Sequence, residues 1–257
     1  MESELVESHM RVVHAMPQHR EYFHGGSPPE PVLAEAATRY LDELGEIGVS
    51  GPTILADACE RGFVSREERG ELCRRLLTTI AHDRAVRNHY AGREIPSELY
   101  WHRAVPVLDF LRALFAEDLH EKILKARPVA GNFDKTLEDA FSNAYVFFTR
   151  WGFAGDSKML LRHNLAVALL RGMATQGKPN LTSIDAAIPV HWGDLGAPIS
   201  PETTTLIGCQ ATRRIEVDGP HVDGSVTVPI LGCLPFQSSS SWKTKKLKME
   251  HGKSLFK

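Results

Sequence analysis

The first half of the chain repeats apolar residues every three or four positions. Between Val32 and Leu44, six apolar residues fall on one side of a helix. This spacing is typical of amphipathic helices that bury one face. The pattern predicts four helices, over about residues 31–45, 53–61, 65–90 and 104–126, the last of them ended by Pro128.

Two short motifs indicate where helices begin. Ser27-Pro28-Pro29-Glu30 and Ser65-Arg66-Glu67-Glu68 each place a serine three residues before a glutamate. This is the spacing of a capping box, in which the serine and the glutamate satisfy free N–H groups of the first turn. Proline also suits a first helical turn. Both motifs therefore predict helix N-termini.

The second half of the chain mixes helical and extended patterns. A capping-type start at Thr136 predicts a helix to about Trp151, with its aromatic residues in a core rather than in a base-stacking platform. Leucines on more than one side of residues 158–171 predict a helix that is buried on two faces. Apolar runs bounded by Gly or Pro predict extended segments at 173–176, 182–190 and 203–210, and a hairpin from 214–217 to 225–230.

These elements predict an α+β protein with four parts. An N-terminal segment (1–26) precedes a helical region (27–128), and residues 128–132 form the boundary to the next part. Residues 133–235 combine helices with a short sheet. The Ser-rich and then basic tail (236–257) is expected to be disordered and solvated, although its lysines would also suit a nuclear address or a nucleic-acid contact.

The composition indicates a soluble protein of the cytoplasm or nucleus. Hydrophobic residues make up 42% and charged residues 24% of 257 positions, and the net charge is -2. No apolar run approaches the roughly 18 residues of a membrane helix, and no secretory apolar segment follows the acidic start. The four cysteines lie far apart, so we expect reduced thiols and neither disulfides nor a metal knuckle. We therefore expect no membrane partner.

Two polar residues interrupt the predicted buried strands. Asp185 lies in the apolar run from Ile184 to Val190, and Gln210 ends the run that begins at Thr204. A buried strand tolerates such groups when they are paired, hydrogen-bonded or bound to a metal. Either the two side chains share one site, or Asp185 binds loop amides and Gln210 simply ends its strand.

In the first case the two residues resemble part of the site of PD-(D/E)xK nucleases. There an Asp and, on the next strand, a Glu, Asp or Gln hold Mg²⁺, and a Lys two residues further activates water. The resemblance implies metal ligation by Asp185 and Gln210, with a helix acid, Glu138 or Asp139, completing the shell. Thr212 stands at the lysine position. The resemblance therefore implies weak or no phosphodiester hydrolysis and provides no confident catalytic residue.

Three longer motifs resemble a multi-copy, largely uncharacterised family of mushroom-forming fungi. They lie at Ser27–Ala37, Phe147–Gly152 and Leu170–Ala174. That family is similar to Crinkler-type and mobile-element-linked proteins, which often end in a restriction-endonuclease-like module. The resemblance covers about residues 8–212. It implies such a module over 133–235, degenerate and, because the match ends near Thr212, truncated.

A second hypothesis makes the chain a non-catalytic protein-interaction module. Residues 27–128 would then present a groove to a protein partner, and the C-terminal part would only complete the fold. The nuclease hypothesis instead expects nucleic acid as the partner of residues 133–235 and Mg²⁺ as the cofactor. The two hypotheses differ in whether Asp185 and Gln210 face each other from neighbouring strands.

Overall fold

A computed structural model of the chain describes ten ranges of residues. They are 12–15, 24–26, 28–93, 100–127, 135–155, 157–177, 185–209, 212–213, 226–227 and 230–231. The predicted basic tail at 236–257 and most of the N-terminal segment lie outside them. Helices and a mixed sheet together make the described chain an α+β protein, as its pattern predicts.

Seven α-helices, one short 3-10 helix (Ser157–Leu160) and eleven strands occur in these ranges. The helices are α1 (Glu30–Glu46), α2 (Gly51–Glu60), α3 (Arg66–Tyr90), α4 (Val107–Leu114), α5 (Glu117–Leu124), α6 (Leu137–Phe141) and α7 (Arg162–Leu170). The strands are β1 (Val12–Ala15), β2 (His24–Gly26), β3 (Val105–Pro106), β4 (Ala144–Val146), β5 (Arg150–Phe153), β6 (Met173–Gln176), β7 (Ala186–Trp192), β8 (Thr204–Cys209), β9 (Thr212–Arg213), β10 (Val226–Thr227) and β11 (Ile230–Leu231). Among the described helices, none is both long and apolar enough to cross a bilayer.

The first three helices confirm the predicted elements. Ser65 and Glu68 form the predicted capping box of α3: the Ser65 hydroxyl accepts the Glu68 N–H at 3.3 Å, and the Glu68 carboxylate accepts the Ser65 N–H at 3.4 Å. The capping box predicted for α1 is wrong, because Pro29 is the residue at the cap and makes no side-chain hydrogen bond. Proline in the first turn, with its fixed φ, starts this helix instead.

The single helix predicted over 104–126 is wrong. Val105 and Pro106 instead pair with Val146 and Tyr145 as β3, and α4 begins directly afterwards. The chain then becomes extended at Phe115, so α5 is a separate helix. The apolar spacing is helical on both sides of this break, and therefore it did not reveal the break.

The helix predicted over 136–151 is wrong beyond Phe141. After the short helix α6 the chain forms β4 and β5. Ala144 and Val146 are buried on one face of β4, which is the two-residue period of a strand. Aromatic and β-branched residues favour strands when they find neighbours to pack on, and here the aromatic Phe141 and Phe148 lie in the core as predicted.

The central strand of the main sheet is β7. It pairs with β8 from Ala186 to His191, so the two extended segments predicted on either side of the 193–203 loop do form one antiparallel pair. Along its other edge β7 pairs with β6 at Ala186–Ala187 and with β4 at Val190–Trp192. Ile188 and Pro189 fall in the gap between these two partner strands. Pro189 has no backbone N–H to donate to a sheet, and such a residue destabilises a strand least where a partner is missing.

The remaining strands extend this sheet or lie outside it. β3 pairs with β4, β5 pairs with β6 in parallel, and β11 pairs with β8. The pairs β1–β2 and β9–β10 form two separate ladders. The first arm of the predicted hairpin, 214–217, lies outside the described residues, and Val226–Thr227 of its second arm pairs with Thr212–Arg213.

Helices cover both faces of the sheet. Ala186, Ile188 and Val190 share one core with residues of α3 and α4, including Val86 and Phe110. Because strand residues alternate, the opposite face is left for α7, which packs across β6, β7 and β8. The core thus runs across the boundary that the sequence predicts at 128–132.

The outer side of α7 differs from its prediction. Leu165, Ala168 and Leu169 are buried against the sheet, whereas Val167 and Leu170 are exposed. The predicted burial on two faces is therefore wrong within the described structure. Apolar residues on two sides of a helix do not tell whether a second layer exists to cover them.

We expect Phe110→Ala to lower the free energy of unfolding by about 3–5 kcal/mol, because the fully buried ring leaves a cavity in the shared core. The matched control is Phe63→Ala, at a side chain that is 78% exposed, with a change of at most about 0.5 kcal/mol. Urea denaturation measures both variants. Two separate transitions, of which Phe110→Ala moves only one, would contradict a core shared across 128–132.

Candidate functional site: a polar cluster between α3 and the sheet

Asp185 lies immediately before β7, held by backbone hydrogen bonds on both sides. Its N–H donates to the carbonyl oxygen of Cys209 at 2.9 Å, and its own carbonyl accepts the N–H of Gly177 at 2.8 Å. The ends of β6 and β8 therefore fix its position. Its side chain remains 34% exposed, so the carboxylate is in contact with solvent.

Arg74 of α3 is the charged partner of Asp185. Its Nη1 lies 3.7 Å from Asp185 Oδ2, and its Nη2 donates to the Asp185 carbonyl oxygen at 3.4 Å. The guanidinium side chain is only 3% exposed. Burial lowers the pKa of Arg74, and the negative charge of Asp185 counteracts that shift. Because an arginine stays protonated in proteins, the two groups form an ion pair with one buried member.

Glu71 of α3 and Gln176 of β6 form a second polar contact between the helix and the sheet. The Gln176 amide Nε2 donates to the Glu71 carboxylate, so β6 is joined to α3 one turn before Arg74. Gln176 is buried, and neither its Oε1 nor Arg74 Nε has a hydrogen-bond partner in the described structure. We call Glu71, Arg74, Gln176 and Asp185 the α3 polar cluster. It connects one helix to the ends of β6 and β7.

Cys209 is the buried neighbour of this cluster. Burial raises the pKa of its thiol to about 11, with a smaller increase from Asp185 and a decrease from Arg74. The reactive form of cysteine is the thiolate. Cys209 is therefore a neutral packing residue near pH 7 and does not act as a nucleophile there.

The predicted nuclease residues do not all lie at this cluster. Gln210, the predicted partner of Asp185 on the next strand, is outside the described residues, since β8 is described to Cys209. Thr212, at the position where a lysine is expected, belongs to β9, and β9 pairs with β10 rather than with the main sheet. The backbone at Thr212 is thus not a continuation of the ladder that carries Asp185.

The predicted helix acid Glu138 lies at the other end of the sheet. Its carboxylate is 3.5 Å from Arg112 Nη2. In the same helix, the ring of Phe141 stacks on that of Trp192, with 5.9 Å between the ring centroids. Trp192 is the last residue of β7, and Asp185 lies directly before its first residue. A strand of this length spans about 20 Å. Glu138 is therefore not brought to Asp185, which corrects this part of the predicted site. Asp139 is engaged in the capping box of α6.

Glu71, and not Glu138, is a helix carboxylate joined to this end of the sheet, through its hydrogen bond with Gln176. A usable signal was present in α3, where Arg74, Thr78 and His82 recur every four residues and all three are buried. That spacing defines one helix face. A polar stripe on a helix face is normally taken as solvent-exposed, and so this signal was missed.

The described residues contain no group of three or more His, Cys, Asp or Glu side chains arranged to hold a metal ion. Comparisons with family models, with curated proteins and with solved structures find no match for this chain. The cluster as it stands offers two carboxylates, one amide and one guanidinium. Chemically, it holds a carboxylate at the end of a sheet against a fixed positive charge.

We expect Arg74→Met to lower the free energy of unfolding by about 2–3 kcal/mol, less than for a fully buried ion pair because Asp185 keeps part of its hydration. Asp185→Asn should cost at least as much, because it leaves the buried Arg74 guanidinium without its counter-charge. A double-mutant cycle in urea denaturation should give a coupling energy of about 1–2 kcal/mol. Strictly additive effects would contradict a direct interaction between the two residues.

Alkylation provides a second prediction for this site. At pH 8 we expect iodoacetamide to modify Cys73, which is exposed, at least about tenfold faster than Cys209, because the high pKa of Cys209 leaves almost no thiolate and its side chain is buried. Peptide mass spectrometry measures both rates. After unfolding in urea the two rates should become equal, and equal rates in the native protein would contradict the buried position.

Proposed function

We propose that the chain is a nuclease-like protein without metal-dependent catalysis, in which the Arg74 guanidinium neutralises the carboxylate that a nuclease would use for Mg²⁺. The observation that carries this proposal is the ion pair between Arg74 Nη1 and Asp185 Oδ2 at 3.7 Å. The restriction-endonuclease-like assignment is part of the proposal. It is supported by the β7–β8 pair, with Asp185 at one end and helices on both faces of the sheet.

The charge balance at Asp185 disfavours a divalent cation. Magnesium sites in enzymes usually combine one or two carboxylates with water and substrate oxygens, and they gain affinity from uncompensated negative charge. Here a fixed positive charge already contacts the carboxylate. At about 6 Å a divalent cation and a guanidinium repel each other by on the order of 5 kcal/mol at an effective dielectric constant of 20. That repulsion is comparable to the binding free energy of a millimolar site, about 4 kcal/mol.

The proton-transfer part of the reaction also lacks its residue. Thr212 cannot act as the general base that a lysine provides, and it lies in the β9–β10 ladder. A positioned general acid or base contributes about 10²–10⁴-fold to rate. The carboxylate of Asp185 is engaged by Arg74, and no lysine stands at position 212. Together these two features support the proposal of a nuclease-like scaffold without hydrolytic activity.

We expect wild type and Asp185→Ala to show the same background in plasmid nicking with Mg²⁺ or Mn²⁺, because neither forms a metal site. The melting temperature of the wild type should not rise with either ion, since binding at 100 times Kd would add about 2.7 kcal/mol of stability. Circular dichroism checks that both proteins are folded. Metal-dependent nicking by the wild type that Asp185→Ala abolishes would overturn the proposal.

A further inference from the structure

Helix α1 presents an apolar and acidic surface that no described residue covers. Val32, Tyr40 and the C-cap residue Ile47 are each more than half exposed, and Glu43 is exposed as well. At about 100° per residue these four side chains fall within about 80° of the helix circumference. We call them the α1 stripe.

Helix α7 presents an apolar and basic surface of similar width. Val167 and Leu170 are 47% and 64% exposed, and the exposed His163 and Arg171 lie beside them. By the same helical geometry these four side chains fall within about 100° of the circumference. We call them the α7 stripe.

The two stripes carry opposite charge. α1 contains five acidic residues and one arginine, and two of its acids, Glu43 and Glu46, are exposed around the C-terminal end of the stripe. Residues 157–171 contain one lysine, two arginines and one histidine and no acidic residue, and Arg171 and His163 of this set belong to the α7 stripe. Complementary charge around apolar contacts is the arrangement that favours specific association.

One copy of the chain cannot bring its own two stripes together. α1 is attached on the α3 side of the sheet, since Asp42 pairs with Arg87 of α3 and Glu35 accepts the N–H of Trp101 at 3.0 Å. α7 covers the opposite face of the sheet, across β6, β7 and β8. The two surfaces therefore point away from the same central layer.

We propose that the α1 stripe of one copy binds the α7 stripe of a second copy. Tyr40 and Ile47 would pack against Val167 and Leu170, and Glu43 would approach Arg171. The contact is head-to-tail, because two different surfaces meet, and each copy keeps one surface free for a further copy. This inference goes beyond the proposed function and does not depend on it.

Sedimentation velocity over a range of concentrations tests the proposal on the full chain. We expect the wild type to associate, and both Ile47→Lys and Leu170→Asp to weaken that association at least about tenfold, by removing apolar contact and placing like charges together. Leu195→Asp is the matched control, since Leu195 is 51% exposed and belongs to neither stripe. Higher salt should also weaken the wild-type association, because part of the attraction is electrostatic.

A mixing experiment distinguishes head-to-tail binding from other contacts. Ile47→Lys retains an intact α7 stripe and Leu170→Asp retains an intact α1 stripe, so an equimolar mixture should form one-to-one pairs and no larger assemblies. Thermal melting checks that all variants are folded. A wild type that stays monomeric at every concentration, a control that weakens association equally, or a mixture that does not pair would each overturn the proposal, as would binding only to a different protein.

Discussion

The contact between α3 and the sheet connects the helical and the extended parts of this chain. Its polar side consists of Arg74, Thr78 and His82, which recur every four residues and are all buried. Arg74 engages Asp185 at one end of the contact, and the His82 ring lies 5.0 Å from the ring of Phe148 further along. A buried arginine is stable only when its charge is compensated, and therefore the position of Asp185 and the placement of α3 depend on each other.

Local signals in the sequence were sufficient for several elements. The capping box at Ser65 and the apolar spacing that follows it define α3, because both act within a few residues of each other. The apolar runs that became β6, β7 and β8 were also recognisable, since a fully buried strand needs apolar residues on both faces. These predictions required no knowledge of distant partners.

The errors arose where a distant partner decides the structure. β3 interrupts a helical pattern because Val105 finds Val146 in the sheet, and no local signal at Val105 announces that pairing. The partner of Asp185 is 111 residues away in the sequence, on a helix whose polar positions look solvent-exposed. Glu138 was predicted because the nuclease resemblance implies an acid on a helix that precedes the strand, whereas the sheet places it at the far end of β7. Sequence separation is a poor guide to proximity once a sheet has formed.

The ion pair also gives a physical reason, independent of catalysis, for an acidic residue at this sheet end. Replacing Asp185 alone would leave the Arg74 guanidinium buried without its counter-charge, and removing one partner of a buried pair is more costly than never having the pair. A carboxylate first placed for metal binding would thus be retained for stability once a guanidinium contacts it. The lysine position has no comparable constraint, because Thr212 lies outside the main sheet. Under the proposed nuclease-like function, this ion pair accounts for an aspartate that is kept without the lysine.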